Sequence, residues 1–431
     1  MAEDLTKQID SSTEFFDIIC SSKDCAPEMK KKLLRSKRAS AVFYPKNKNE
    51  VRKILMNYKC VIRGGGSSYL GQVIPDHDEV IIDMSRFDSV KIYNDYAIIG
   101  GGVPFSDIIK KTAQENKELK SFPLSYRSAT PAGFLSCGGR AGIGSPENGY
   151  FSENIDEIEV VTPNSEILRI KGTEIDDFSG SEGLLGAITE MKIKIQPKKI
   201  RHLHMYGFDS RIDLERFFEE TKDIRFAYFF NKIAADRLND KWKLKTVPAY
   251  TMICQDLNDK DDYRREYRED LAKRGISFIY PKWILELESK RMNMLDFMIK
   301  DSRNNIHIAD GIGSVDKTLH ALRHVEKHNL PAYGMLGKDE ILIRIYADCK
   351  DFLDKQKFLM IMDNIYRSIE PASKGRFFRS YISGKDKKHL QVTINKYNVP
   401  GHLNLRQNLN KNILVKKIIS PLLISMGGKL W

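Results

Sequence analysis

The chain has no apolar run of about 18 residues, the length a spanning helix needs, so no transmembrane helix is expected. Cysteine is sparse. Its six copies, Cys20, Cys25, Cys60, Cys137, Cys254 and Cys349, are scattered, and none forms a Cys-x-x-Cys. That pattern argues against an iron–sulfur cluster or zinc site within this chain and suits reduced thiols in a cytoplasmic protein. The opening Met-Ala-Glu-Asp-Leu-Thr-Lys-Gln is acidic and lacks an apolar core, so no secretory signal is expected. Sequence repeats, low-complexity segments and nucleic-acid motifs are missing too, and the basic residues do not interleave with aromatics.

What the chain does have is length and positive charge. Its 431 residues allow two or three domains with proper cores. A net charge of +12 favours anionic substrates, acidic partners or anionic lipids, or else marks a Lys-rich solvated surface.

Residues 61–71 read Val-Ile-Arg-Gly-Gly-Gly-Ser-Ser-Tyr-Leu-Gly. The run Cys60-Val61-Ile62 has the look of a buried strand end, and the chain then turns through three glycines. A turn without side chains lets backbone N–H groups approach an anion, and Ser67 and Ser68 add hydroxyl donors. No Gly-Lys-Ser/Thr follows, so this is not a Walker loop. The glycine spacing also differs from the dinucleotide fingerprint. The loop is either a plain tight turn or a diphosphate cradle.

Three further segments decide between those readings. Gly100-Gly101-Gly102 ends a strand at Tyr96–Ile99. Ser128-Ala129-Thr130-Pro131-Ala132-Gly133 runs on to Gly138-Gly139-Arg140. The last is Ser179-Gly180-Ser181-Glu182-Gly183-Leu184-Leu185-Gly186-Ala187-Ile188-Thr189-Glu190. In this order and at these intervals they resemble the FAD-binding domain of vanillyl-alcohol-oxidase/PCMH-type flavoproteins, most of all the branch of the glycolate oxidase flavin subunit and D-lactate dehydrogenases. The resemblance is strong over about residues 40–196 and weaker beyond.

The resemblance implies an α+β protein. A PCMH-type two-subdomain FAD-binding domain over 40–197 would follow an N-terminal extension, 1–39. A ferredoxin-like α+β substrate (cap) domain would occupy 198–400, and 401–431 would pack back on the FAD domain or dock a partner subunit or membrane surface. It implies that Arg63, Gly64, Gly65, Gly66, Ser67, Ser68 and Gly71 wrap the pyrophosphate. Pro123, Ala129, Thr130, Gly133, Ser136 and Gly139 would lie beside the flavin and ribityl chain, with Gly183 and Ile188 making main-chain contacts. Relatives that attach FAD covalently often place a His after the glycines. Ser67 stands there, so FAD is expected to be non-covalent.

Residue patterns fill in the elements. Val51, Ile54, Leu55 and Tyr58 give a helix with one buried face. Short strands are expected at Glu79–Met84, Val90–Tyr93 and Tyr96–Ile99, then a helix N-capped by Ser106 and running to about Glu115. Ile155–Thr162 and Glu166–Ile170 flank the turn signal Pro163-Asn164. Met191, Ile193 and Ile195 alternate as in a half-buried strand. Beyond Lys198, strands near 202–208, 225–230, 250–256, 276–280, 304–309 and 341–347 alternate with helices near 211–221, 260–274, 283–300, 314–328 and 350–367. That alternation suggests helices layered on one face of a sheet.

The substrate side departs from the family. The hydroxy-acid branch carries His-x-Gly-Asp-Gly-Asn-x-His, whereas Met335 and Leu342 stand at the two histidine positions here. A thioether and an isobutyl group can neither hold a hard divalent ion nor take a proton. Where relatives carry Gly-Glu-His-Gly, this chain has Ala372-Ser373-Lys374-Gly375, so no metal site is expected. His320, His324 and His328 share one helix face and read as a solvent-facing stripe. Candidate catalytic groups are Lys290 or Arg291, where the family has a carboxylate-holding Arg, with Arg344, Tyr346 and Arg376. An Arg fork and a Tyr can align an anion at a flavin. The expected function is an FAD-linked dehydrogenase that oxidises a CH–OH group of a small, anionic substrate such as a 2-hydroxy acid. It would pass electrons to a redox partner such as an iron–sulfur subunit. The alternative is a flavin electron-relay or scaffold subunit without a substrate of its own.

Overall fold

The computed structural model describes residues 2–14, 17, 38–68, 72–75, 79–220, 224–242, 248–256, 277–278, 305–349, 351–371 and 396. Within them lie three sheets. The first has the order Ser11–Ser12, Val42–Phe43, Val80–Asp83, Cys60–Arg63, and the last three strands are parallel. Parallel strands need a crossover, and helix Lys48–Asn57 supplies it between Val42–Phe43 and Cys60–Arg63. Its Val51, Ile54 and Leu55 are buried, as their spacing required. Asn47 caps it by accepting from the Glu50 N–H at 3.1 Å.

The second sheet is antiparallel. Its main path is Val90–Ile92, Tyr96–Gly100, Ala187–Pro197, Ile155–Val161, Ile167–Lys171. The long strand Ala187–Pro197 turns Met191, Ile193 and Ile195 inward and leaves Lys192 and Lys194 half-exposed. The expected hairpin around Pro163-Asn164 forms, with Ser165 in the left-handed region at φ 70°. The expected cap at Ser106 does not. Pro104 takes the N-cap position instead, two residues earlier, and helix Phe105–Gln114 opens on Phe105, which anchors it in the core.

The third sheet has eight antiparallel strands in the order Ser277–Phe278, His202–Phe208, Tyr250–Asp256, Ile224–Asn231, Ala332–Leu336, Glu340–Cys349, Asn305–Ser314, Glu370–Pro371. Taken in chain order, each half of this path has the strand sequence 4-1-3-2 of a ferredoxin-like unit. The two units join edge to edge through Ile224–Asn231 and Ala332–Leu336. The sheet is thus a structural duplication, although the sequence shows no repeat. Strand Ala332–Leu336 and helix Lys232–Trp242 were not expected, while the helices expected near 260–274 and 283–300 lie outside the described residues.

Alternation assigns the two faces of this sheet. Ile341, Ile343, Ile345 and Ala347 join Leu319, Leu322, Val325, Phe358 and Met362 of helices Val315–Lys327 and Phe352–Ile365 in one core. The intervening Leu342 and Arg344 point the other way, toward the glycine-rich half. At the far end of the chain, Lys396 pairs with Glu174 and Asp177 of the first half, each at 2.9 Å.

Candidate active site

A cavity of about 1120 Å³ lies between the glycine-rich half and the face of the eight-stranded sheet opposite helices Val315–Lys327 and Phe352–Ile365. Its floor is the loop after strand Cys60–Arg63. Gly64, Gly65, Gly66, Ser67 and Ser68 all line it. The glycines have a packing reason as well. A Cβ on Gly64 would sit 2.4 Å from Thr130 Oγ1, and one on Gly65 only 1.5 Å from the Ser128 carbonyl oxygen. The loop therefore lies flat against segment 128–130, and a side chain there would separate the two. Thr130 caps helix Pro131–Ser136 by accepting from the Gly133 N–H at 3.2 Å.

The structure gathers most of the expected cofactor residues along this one cavity. Pro123, Ala129, Thr130, Gly133, Ser136 and Gly139 line it, as do Gly183 and Ile188. Arg63 stands behind the loop, its Nε 3.5 Å from Asp83 and its guanidinium folded over Gly66. Gly71 lies outside the described residues, as do Lys290, Arg291, Ser373, Lys374 and Arg376.

The opposite wall comes from the sheet. Arg344 lines it. Tyr346 does not; it is buried, its ring 5.6 Å from that of Tyr333. Arg344 sits in cross-strand register with Asp310 on one side and Tyr333 on the other. Its Nε donates to Asp310 Oδ1 at 2.5 Å and its Nη2 to Oδ2 at 2.7 Å, while Nη1 donates to the Tyr333 hydroxyl at 2.8 Å. Burial works against the Arg344 charge, but Asp310 and then Tyr333 outweigh it and hold the guanidinium well above its ordinary pKa. Tyr228 packs its ring against that of Tyr333, with centroids 4.8 Å apart and a tilt of 32°. Burial, then Tyr333 and Tyr346, push the Tyr228 phenol up.

The next row across the sheet is apolar. Met335 and Leu342 are direct cross-strand partners, and both line the cavity. The two side chains expected at the histidine positions thus meet as a hydrophobic pair. Among the described residues no group of three His, Cys, Asp or Glu side chains could hold a metal ion. On helix Val315–Lys327, His320 is exposed, and the His324 and His328 rings are 6.0 Å apart. Burial, His324 and Lys327 lower the His328 pKa. Glu326 on that helix accepts from the Tyr250 hydroxyl at 3.2 Å.

Sequence reasoning missed several groups that shape this site. Asp310, Tyr228 and Tyr333 lie in apolar strands, and the signal was a polar residue interrupting an inward run. Arg140 lines the cavity and makes a two-point contact with Glu340. Arg201 and Arg225 also line it, both buried against Glu118 and Glu147.

Residues 39–171 match the family model of the FAD binding domain. The glycolate oxidase subunit GlcD of Escherichia coli (strain K12) is 27% identical over 190 residues, 40% of this chain and 38% of the relative. That of Bacillus subtilis (strain 168) is 27% identical over 229 residues, 48% of this chain and 44% of the relative. The cytochrome D-lactate dehydrogenase, mitochondrial, of Arabidopsis thaliana is 27% identical over 176 residues, 36% of this chain and 30% of the relative. The chain thus spans less than half the length of these curated relatives.

Among solved structures, p-cresol methylhydroxylase with substrate bound superposes with a TM-score of 0.71 at 12% identity, covering 93% of this chain and 95% of that one. Alkyldihydroxyacetonephosphate synthase gives 0.68 at 15% identity, covering 92% and 84%. These matches place an FAD-binding domain over residues 39–171, and the chain shares its α+β fold with p-cresol methylhydroxylase.

Among the described residues no helix is long and apolar enough to cross a membrane.

Proposed function

We propose that the protein is an FAD-dependent dehydrogenase that oxidises a CH–OH group of a small hydroxylated substrate. The observation that carries this reading is one cavity with the glycine loop Gly64–Ser68 at its floor and the Tyr333–Arg344 row in its wall. A cofactor cradle and a polar, hydrogen-bonding wall are thereby held face to face across one cavity.

FAD, when bound, supplies the hydride acceptor, its N5. The chain's residues supply the rest. Gly64, Gly65, Gly66, Ser67 and Ser68 fit a pyrophosphate, because the flat loop leaves its cavity side without side-chain bulk beyond the two hydroxyls. Ala129, Thr130, Gly133 and Ile188 flank the same space. Arg63 braces the loop from behind and Gly71 would extend it. With Ser67 in place of an imidazole, attachment is non-covalent. Arg344 holds the Tyr333 hydroxyl in place, and the buried Tyr346 packs its ring against that of Tyr333 on the same face of the sheet. Lys290, Arg291 and Arg376 stay candidate substrate contacts.

A 2-hydroxy acid, expected from the resemblance, needs a cation for its carboxylate. Arg344 was the expected clamp, but its side-on fork is already filled by Asp310. Its role is therefore to orient Tyr333. Electrons would leave to a partner such as an iron–sulfur subunit, in keeping with the subunit naming of the relatives. The second reading, an electron-relay subunit, is favoured by the apolar Met335–Leu342 pair where the family's histidines stand.

The test is direct. Purified protein should be yellow, and acid precipitation should release FAD into the supernatant. Anaerobic addition of alcohols, hydroxy acids, lactones and polyols should bleach the flavin with at least one of them. A colourless protein that FAD cannot reconstitute overturns the flavin reading. A yellow protein bleached only by a reduced partner protein replaces the dehydrogenase with the relay.

A further inference from the structure

We propose that Asp310 sets the substrate class: by filling the guanidinium fork of Arg344, it makes the cavity accept an uncharged alcohol with an apolar body and turn away carboxylates. The proposal rests on the dehydrogenase reading for the use of the site, but not for its shape.

Three strands place the groups in one row, Tyr333 opposite Arg344 and Arg344 opposite Asp310. Asp310 is 5% exposed, and its two oxygens take the Nε and Nη2 donors of Arg344 at 2.5 and 2.7 Å. The Nε/Nη2 edge is a geometry that binds a carboxylate in two points, and the protein's own carboxylate occupies it. The pair is neutral as a unit. A substrate carboxylate arriving there would meet no net positive charge and would bring a second anion against Asp310 in a buried setting.

Three more arginines of the cavity wall, the half-exposed Arg140 and the buried Arg201 and Arg225, repeat the pattern. Arg140 pairs with Glu340, and Arg201 and Arg225 share Glu118 and Glu147. Each of these guanidiniums thus has an acid of the chain itself against it, although Lys199 also shares Glu147 with Arg201 and Arg225. What the wall does offer is the Tyr333 hydroxyl for a substrate oxygen, and beside it the apolar row of Tyr228, Met335 and Leu342 with Ile253. A hydroxyl next to an aryl or alkyl body matches that surface.

A matched pair of probes separates the two classes. Phenylethane-1,2-diol and mandelate differ by a hydroxymethyl group against a carboxylate. Each is titrated into the FAD-loaded full-length protein, with the flavin difference spectrum and the melting temperature as binding readouts. The unaltered protein should bind the diol and ignore mandelate. Asp310→Asn removes the neutralising charge at nearly constant shape, and the preference should move toward mandelate by on the order of tenfold or more.

The proposal is overturned if the unaltered protein binds mandelate at least as tightly as the diol, or binds neither. An unchanged preference in a yellow, folded Asp310→Asn protein also overturns it. Should that variant lose FAD, the probe pair on the unaltered protein still decides. Bleaching is scored separately. A diol that binds without bleaching the flavin counts against the dehydrogenase reading and leaves the assignment of Asp310 standing.

Discussion

Arg140 and Glu340 join the two halves of the molecule, with Nε donating to Oε1 at 3.0 Å and Nη2 to Oε2 at 2.5 Å. Arg140 follows the Gly138-Gly139 turn of the FAD-binding half, and Glu340 opens a strand of the eight-stranded sheet. Tyr150 adds a hydrogen bond and a cation–π contact, its ring centroid 5.7 Å from the guanidinium carbon. Burial pushes the Glu340 carboxyl up, with Arg140 pulling the other way.

Removing one partner strands a largely buried charge, so the cost should exceed that of a surface pair. Arg140→Met and Glu340→Gln should each lower stability by roughly 1–3 kcal/mol, and the double variant by less than the sum. A calorimetric double-mutant cycle reads this. Fully additive losses would show that the contact does not couple the halves.

Much of the first half was legible in the sequence because its chemistry is local. The strand ending at Arg63, the helix with Val51, Ile54 and Leu55 inward, and the Pro163-Asn164 turn each depend on neighbours in sequence. The glycine segments are equally local, and their order carried the resemblance. Two kinds of feature were not legible. The eight-stranded sheet is a duplication of topology whose halves share no sequence pattern, so no repeat could announce it. The ion pairs of the cavity wall join residues far apart in sequence. Glu340 lies 200 positions from Arg140, and Arg344 lies 34 from Asp310. Arg344 was visible as a charge on an inward strand position, but nothing in its own strand showed that a carboxylate already faced it.

Acid should loosen the seam between the halves. Burial pushes the Glu147 carboxyl up, but Lys199, Arg201 and Arg225 outweigh it and leave its pKa below the ordinary value. A carboxyl lowered in the folded state binds fewer protons there than in the unfolded chain. Its contribution is therefore present above the ordinary glutamate range and is lost as pH falls below that range, through the lowered folded pKa. Glu157 and Glu159 are shifted the same way. The melting temperature should fall as pH drops from about 5 to below 4, and Glu147→Gln should lower it at neutral pH while flattening that fall. An equally steep acid limb in the variant would remove Glu147 from the explanation.

Turnover should not need a divalent metal. Met335 and Leu342 face each other across the wall, and neither offers an oxygen or nitrogen ligand. Exhaustive chelation should leave flavin reduction by any active substrate unchanged. Loss of activity with EDTA, restored by zinc or manganese, would mean that other ligands serve the site.

The glycine loop makes a graded prediction. At Gly65 an added Cβ would overlap the Ser128 carbonyl oxygen at 1.5 Å, a backbone atom that cannot swing aside. At Gly133 the nearest atom is Thr130 Oγ1 at 3.1 Å, on a side chain that can shift by a few tenths of an ångström. Both glycines line the cavity, so composition alone does not separate them. Gly65→Val should part the loop from segment 128–130 and abolish FAD retention, read as loss of the flavin absorbance relative to protein. Gly133→Ala should keep the flavin, with a melting temperature within a few degrees of the parent, on the order of 1 kcal/mol. If the two variants retain FAD equally, the loop is not fixed by its contact with Ser128, and its glycines answer to the ligand alone.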